Sequence, residues 1–118
     1  MTTSRRTTQA SLLPATVTGY LAAHQRRDLN AALGWFTDDA TVIDEGNTYR
    51  GPDQIGAWLA SSATEYTYTI EFVGAEKLDD ERYVATHHLE GDFPGGVIDL
   101  RFQFTLRDQR ISRLVIEP

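Results

Sequence analysis

The sequence predicts an α+β fold, a cone in which three N-terminal helices pack on a strongly curved, mainly antiparallel sheet that encloses a pocket. One change along the chain predicts it. Before residue 65 apolar residues recur at helical spacing in three segments, and from residue 65 onward they alternate every second residue. A length of 118 residues adds that this is one domain with enough chain to bury a core. Helices followed by a strand meander place the helices on one face of a curved sheet. The open end of such a cone is a pocket, usually apolar with a few polar groups converging inside.

Residues 1–12 are rich in Ser and Thr, carry Arg5 and Arg6 and contain no acid, which reads as a flexible polar tail ahead of a domain spanning 13–118. A twin-arginine signal would need a long apolar run next, and Thr16, Thr18 and His24 interrupt that run. Pro14 suits the first turn of a helix reaching about Arg27, with Leu13, Val17, Tyr20, Leu21 and His24 on one stripe. Asp28 is a good N-cap for a short second helix whose apolar face is Leu29, Ala32, Leu33 and Phe36, ending at Asp38-Asp39. The stretch 40–46 reads as a short strand turning at Gly46-Asn47. After Tyr49-Arg50, Gly51-Pro52 opens a third helix with Asp53 in its positively polarised first turn and Ile55, Trp58, Leu59 and Ser62 as its stripe.

In the strand that follows, Tyr66, Tyr68, Ile70 and Phe72 alternate with Glu65, Thr67, Thr69 and Glu71. Residues 78–81 read as a turn, 82–91 as a strand, 92–96 as a loop and 97–107 as a long strand with Ile98, Leu100, Phe102, Phe104 and Leu106 on one face. Asp108-Gln109 turns the chain into the last strand, from residue 111.

Composition narrows the function. With no cysteine, disulfide frameworks, thiolate metal sites and cysteine nucleophiles are excluded. A net charge of −6 argues against a nucleic-acid partner, which needs a basic face. No 18-residue apolar stretch occurs, so no membrane-spanning helix is expected, and the location expected is cytoplasmic. Gly95-Gly96 lacks the strand–loop–helix setting of a dinucleotide site, no serine sits in a nucleophile elbow, and no metal site is evident.

The stretch 17–59 resembles the nuclear transport factor 2-like superfamily, and within it the SnoaL-like and ketosteroid-isomerase-like branches. The shared pattern is an apolar helix ending in Asp28-Leu29, then Phe36-x-Asp38-Asp39-Ala40-Thr41-Val42, then Arg50-Gly51 and a helix, with a compatible strand pattern to residue 117. The resemblance implies the cone fold. For function it implies a wide choice, since this fold hosts isomerases, cyclases, hydrolases, dehydratases and proteins without chemistry. Carried over by position, Tyr20 falls on the first-helix tyrosine that hydrogen-bonds a developing oxyanion in ketosteroid isomerases, and Asp44 falls on their general base. The third member there is a protonated aspartic acid on a late strand. Asp99 is out of phase for that role, because Ile98, Leu100 and Phe102 take the core face; alignment by the final turn brings Phe102 to the acid's position.

Each candidate has two readings. Asp44 shares a strand face with Val42, where desolvation would raise its pKa into the range of a general base, or it caps the turn that follows. Tyr20 donates into the pocket or is a core aromatic with a satisfied hydroxyl. His87 and His88 point to opposite faces, so they cannot both ligate one metal; either can act as an auxiliary acid or base, and the period does not decide which faces the pocket. His24, Trp35, Trp58, Tyr66, Tyr68 and Phe102 are core residues or pocket lining.

Two functions follow. One is a pocket enzyme doing cofactor-independent acid–base chemistry on a small apolar carbonyl compound, with Asp44 as base, Tyr20 as electrophilic donor and His87 or His88 as auxiliary, since aimed donors alone can stabilise an enolate. The other is a ligand-binding or accessory module without turnover. Apolar residues on both sheet faces, among them Val84, Val97 and Val115, further predict a homodimer through the sheets.

Overall fold

The computed structural model of this chain describes residues 13–65 and 68–118. The tail at 1–12, Tyr66 and the side chain of Ser62 lie outside the described residues. In chain order the elements are α1 (Ala15–Gln25), α2 (Leu29–Leu33), β1 (Phe36–Asp44), β2 (Asn47–Arg50), α3 (Gly51–Glu65), β3 (Tyr68–Lys77), β4 (Arg82–Gly91), β5 (Val97–Arg107) and β6 (Arg110–Glu117). The α+β class and the three-helix, curved-sheet architecture are as the sequence predicts.

Local chemistry sets the boundaries. Asp28 caps α2, its carboxylate accepting from the Ala31 N–H at 3.2 Å. Phe36, Asp38 and Asp39, expected at the end of the second helix, belong to β1 instead. Gly34 closes α2 after five residues, and Phe36 reaches the core from the strand, where it is buried. Two tight hairpins use left-handed residue pairs, Glu45-Gly46 and Asp108-Gln109. The second is tied to α1, since the Thr16 hydroxyl donates to the Gln109 carbonyl at 2.8 Å.

The sheet order is β2-β1-β6-β5-β4-β3. β3 to β6 form the expected antiparallel meander, whereas β1 pairs with β6 in parallel, Val42 opposite Leu114 and Asp44 opposite Ile116. The ladders shift register between Phe72 and Gly74 and between Thr105 and Leu106, irregularities of the kind that bend and twist a sheet. The concave face carries Val42, Tyr83, Ala85, His87, Phe102, Phe104 and Leu114, and the helices cover part of it with Val17, Tyr20, Ile55, Trp58 and Leu59. Burying each large side chain of this set is worth about 1.5–3 kcal/mol. Trp35 lies across Gly19 of α1 so closely that a methyl group there would overlap the indole ring. No helix among the described residues is long and apolar enough to cross a membrane.

Candidate functional site

Tyr20 stands on the sheet-facing side of α1 and is 0% exposed. Its ring meets Phe36 and Phe104 edge-on, with centroids 5.3 and 5.9 Å away. One helical turn later, His24 brings its Nδ1 to 3.3 Å from the Tyr20 hydroxyl. Burial pushes the Tyr20 pKa far up, and the charges of Asp44 and Tyr68 push in the same direction, so the hydroxyl keeps its proton. Burial also lowers the pKa of His24, which keeps its imidazole neutral near pH 7. The His24 Nε2 is buried and has no hydrogen-bond partner among the described residues.

Asp44 ends β1, and its Oδ2 accepts from the indole N–H of Trp58 on α3 at 3.0 Å. Trp58 in turn packs against the rings of His24 and Tyr49, each at a centroid distance of 6.2 Å. Three elements therefore bring Tyr20, His24, Trp58 and Asp44 into one continuous cluster. The charge of Asp44 adds to burial in raising the pKa of both Tyr20 and Tyr68.

The strand period left the two adjacent histidines undecided, and the β4–β5 register separates them. His87 pairs with Leu100 on the concave face, is 1% exposed and packs edge-on against Phe102 and Phe72 at 4.9 and 5.8 Å. Burial, with a smaller contribution from His24, lowers its pKa to about 4, and its Nδ1 has no hydrogen-bond partner among the described residues. His88 pairs with Asp99 on the outer face. There its Nδ1 lies 2.6 Å from Asp99 and its Nε2 lies 2.8 Å from Glu90, and these bonds, Asp99 first, raise its pKa. His88 and Asp99 are thus apart from the cluster, Asp99 in the outward phase that its strand period gave.

A cavity of about 240 Å³ opens beside the cluster, lined by Leu21, His24, Gln25, Arg27, Tyr68, Ile70 and Phe102. His24, Tyr68 and Phe102 line it, whereas Tyr20, Asp44 and Trp58 do not; Tyr20 and Trp58 touch its wall through His24. Trp35 packs against Gly19 of α1 and does not line this cavity. A second cavity, of about 280 Å³, is bordered by Asn30, Thr37, Asp38 and Arg110 and touches none of the candidate residues. Among the described residues, no three His, Asp or Glu side chains converge as metal ligands. Arg27 and Gln25 were missed by the sequence reading; the only signal was their place at a helix end immediately before an N-cap.

Residues 17–114 match the SnoaL-like domain family. The chain belongs to that family. A solved Sinorhizobium meliloti protein, assigned as a polyketide cyclase, is similar to this SnoaL-like chain at 31% identity, with 92% of this chain and 99% of that chain covered and a TM-score of 0.85. Two more distant structures share the fold. One is a Catenulispora acidiphila protein of ketosteroid isomerase-like fold in complex with trimethylamine, at 20% identity, 89% and 85% coverage and a TM-score of 0.76. The other is a Mycobacterium tuberculosis protein in complex with estradiol-17β-hemisuccinate, at 14% identity, 87% and 90% coverage and a TM-score of 0.72. A comparison with curated proteins gives no match. The SnoaL-like domain is a small-molecule pocket fold.

Proposed function

We propose that this SnoaL-like domain is a cofactor-independent acid–base enzyme of the isomerase or cyclase type, acting on a small, largely apolar carbonyl compound. The observation that carries the reading is the continuous cluster of Tyr20, His24, Trp58 and Asp44 against a cavity wall that His24 shares. Asp44, oriented by the Trp58 N–H, is the base for the proton on the carbon next to the carbonyl, which requires the substrate to reach past His24 from the cavity to the carboxylate. With the Tyr20 hydroxyl donating to Nδ1, His24 carries its own proton on Nε2 and presents it to the developing oxyanion. His87 is the buried auxiliary, neutral at neutral pH, and His88 has no part in this chemistry. The Sinorhizobium relative supports a cyclase-like substrate class. The cavity, at about 240 Å³, is just below the roughly 300–1,000 Å³ of ordinary ligand pockets, which favours a small molecule.

Exchange of the α-hydrogens of β-tetralone in D₂O, followed by NMR beside its binding constant, tests the reading. Tyr20→Phe should slow exchange roughly a hundredfold, while weakening binding by only about 1 kcal/mol. Equal losses in rate and binding would remove Tyr20 from the catalytic step. That neither Tyr20 nor Asp44 lines the cavity favours a second reading, a ligand-binding module without turnover; bound β-tetralone that never exchanges would establish it.

The partner side of the proposal is a homodimer through the outer sheet face, where Ile43 and Val115 are half-buried cross-strand neighbours and Val97 is exposed, whereas Val84 is already buried within the chain. Light scattering should give a dimer mass, and a monomer mass unchanged up to high protein concentration would overturn it. A cytoplasmic location, expected from the composition, belongs to the same proposal.

A further inference from the structure

The mouth of the cavity carries a cation that the proposed chemistry does not use. Helix α1 ends with the Asp28 N–H bonded to the Ala23 carbonyl and the Arg27 N–H bonded to the His24 carbonyl, both at 3.0 Å. This is a paired closure that puts its penultimate residue in left-handed backbone, where glycine is the usual occupant. Arg27 is that residue, with φ of 58°. A side chain there costs roughly 1–2 kcal/mol relative to ordinary backbone, yet this chain places one of its 11 Lys and Arg residues there, against 17 acids.

The side chain is well placed to act on a ligand. Arg27 lines the cavity beside Gln25, and beyond them the walls are Leu21, Ile70 and Phe102. Its charge reaches the Tyr68 hydroxyl in the same wall, where it opposes the effects of burial and Asp44. Its neighbour Arg26 is the residue that pairs with Asp28, at 3.8 Å, and among the described residues Arg27 forms no ion pair of its own. The charges around the cavity are therefore ordered, with a guanidinium at the mouth and the Asp44 carboxylate toward the interior.

We propose that the cavity selects apolar carboxylic acids: a ring system lies against Leu21, Ile70 and Phe102, and the ligand's carboxylate binds the Arg27 guanidinium at the mouth, next to the Gln25 amide. The proposal rests on the small-molecule pocket reading and adds the substrate's charge and its orientation. A guanidinium offers a planar pair of donors that matches a carboxylate. The Asp44 charge repels a second anion from the inner end, so the carboxylate stays outside and the apolar end, with any carbonyl it bears, enters toward His24.

The test is calorimetric titration of the full chain with 2-naphthylacetate, 4-phenylbutyrate and their methyl esters. Wild type should bind each acid at least roughly fivefold more tightly than its ester, with the advantage shrinking as salt is raised. Arg27→Gln and Arg27→Gly should abolish that advantage, bringing the affinity of each acid down to that of its ester. Because glycine suits the left-handed backbone, the melting temperature of Arg27→Gly should hold or rise, which separates lost recognition from lost fold. Equal binding of acids and esters by wild type, or an acid preference that survives both substitutions, would overturn the proposal and leave the pocket reading standing. Failure of both acids and both esters to bind wild type would overturn the two together.

Discussion

Asp44→Asn is expected to slow α-hydrogen exchange of a bound ketone by about a thousandfold and to leave the fold intact. A positioned general base contributes roughly 10²–10⁴ to a proton-transfer step, and an amide cannot take its place. The same amide keeps a carbonyl oxygen where Asp44 Oδ2 now accepts from the Trp58 N–H, so the bond between β1 and α3 survives the substitution. Asn also removes the cost of holding a charge at a half-buried position, so urea unfolding should show stability unchanged or slightly raised. The measurement is exchange rate, ligand affinity and urea midpoint on one preparation. A retained rate would put the base elsewhere, and a markedly less stable variant would make Asp44 a structural acceptor for Trp58.

Acid should weaken the fold through His87 before its carboxylates are titrated. The folded-state pKa of His87, about 4, lies below the ordinary value of 6.5. Between those two values the unfolded chain holds the extra proton, so stability falls as pH drops through that window and the full loss is present below about pH 4. Integrated over the window, the loss is about 3 kcal/mol. His24, also lowered by burial, acts with the same sign. His88 acts with the opposite sign, because its pKa is raised: its bonds to Asp99 and Glu90 help most below its unfolded pKa and fade as pH rises through the folded one. Its exposure makes that contribution small. The readout is the change with pH in the stability difference between wild type and His87→Phe, a variant whose ring can pack between Phe72 and Phe102. Parallel curves for the two proteins would show that His87 is not held neutral in the core.

Most of the fold was legible because each element carried a strong local pattern. The strands at 82–91 and 97–107 were bounded to the residue by turn chemistry on either side, and Asp28 was readable as a cap from its type and place. The parallel pairing of β1 with β6 had no local signature, since nothing in either strand alone says which neighbour it takes. Phe36 was misplaced for a related reason: its spacing fits the α2 stripe, but its burial comes from the sheet. At the site, alternation put Asp99 outside correctly but had no means of choosing between His87 and His88, whose flanking residues are similarly apolar. The choice came from register, with Leu100 opposite one and Asp99 opposite the other. Arg27 was illegible because a left-handed arginine at a helix end is what sequence preference argues against.

The parallel ladder between β1 and β6 also couples recognition to the completion of folding. β3, β4, β5 and β6 are joined by short turns and can pair as soon as they exist, but the strand bearing Asp44 meets Ile116 only when two distant parts of the chain have closed a large loop. Until then the sheet face carrying Phe104, against which Tyr20 packs, is not joined to β1 and α3, which hold Asp44 and Trp58. Nascent or partly opened molecules therefore lack the cluster, and a ligand that depends on it cannot rescue them piecemeal. Such a ligand slows the global opening instead, so its protection in hydrogen exchange should be shared by β1 and β6 rather than confined to the cavity wall.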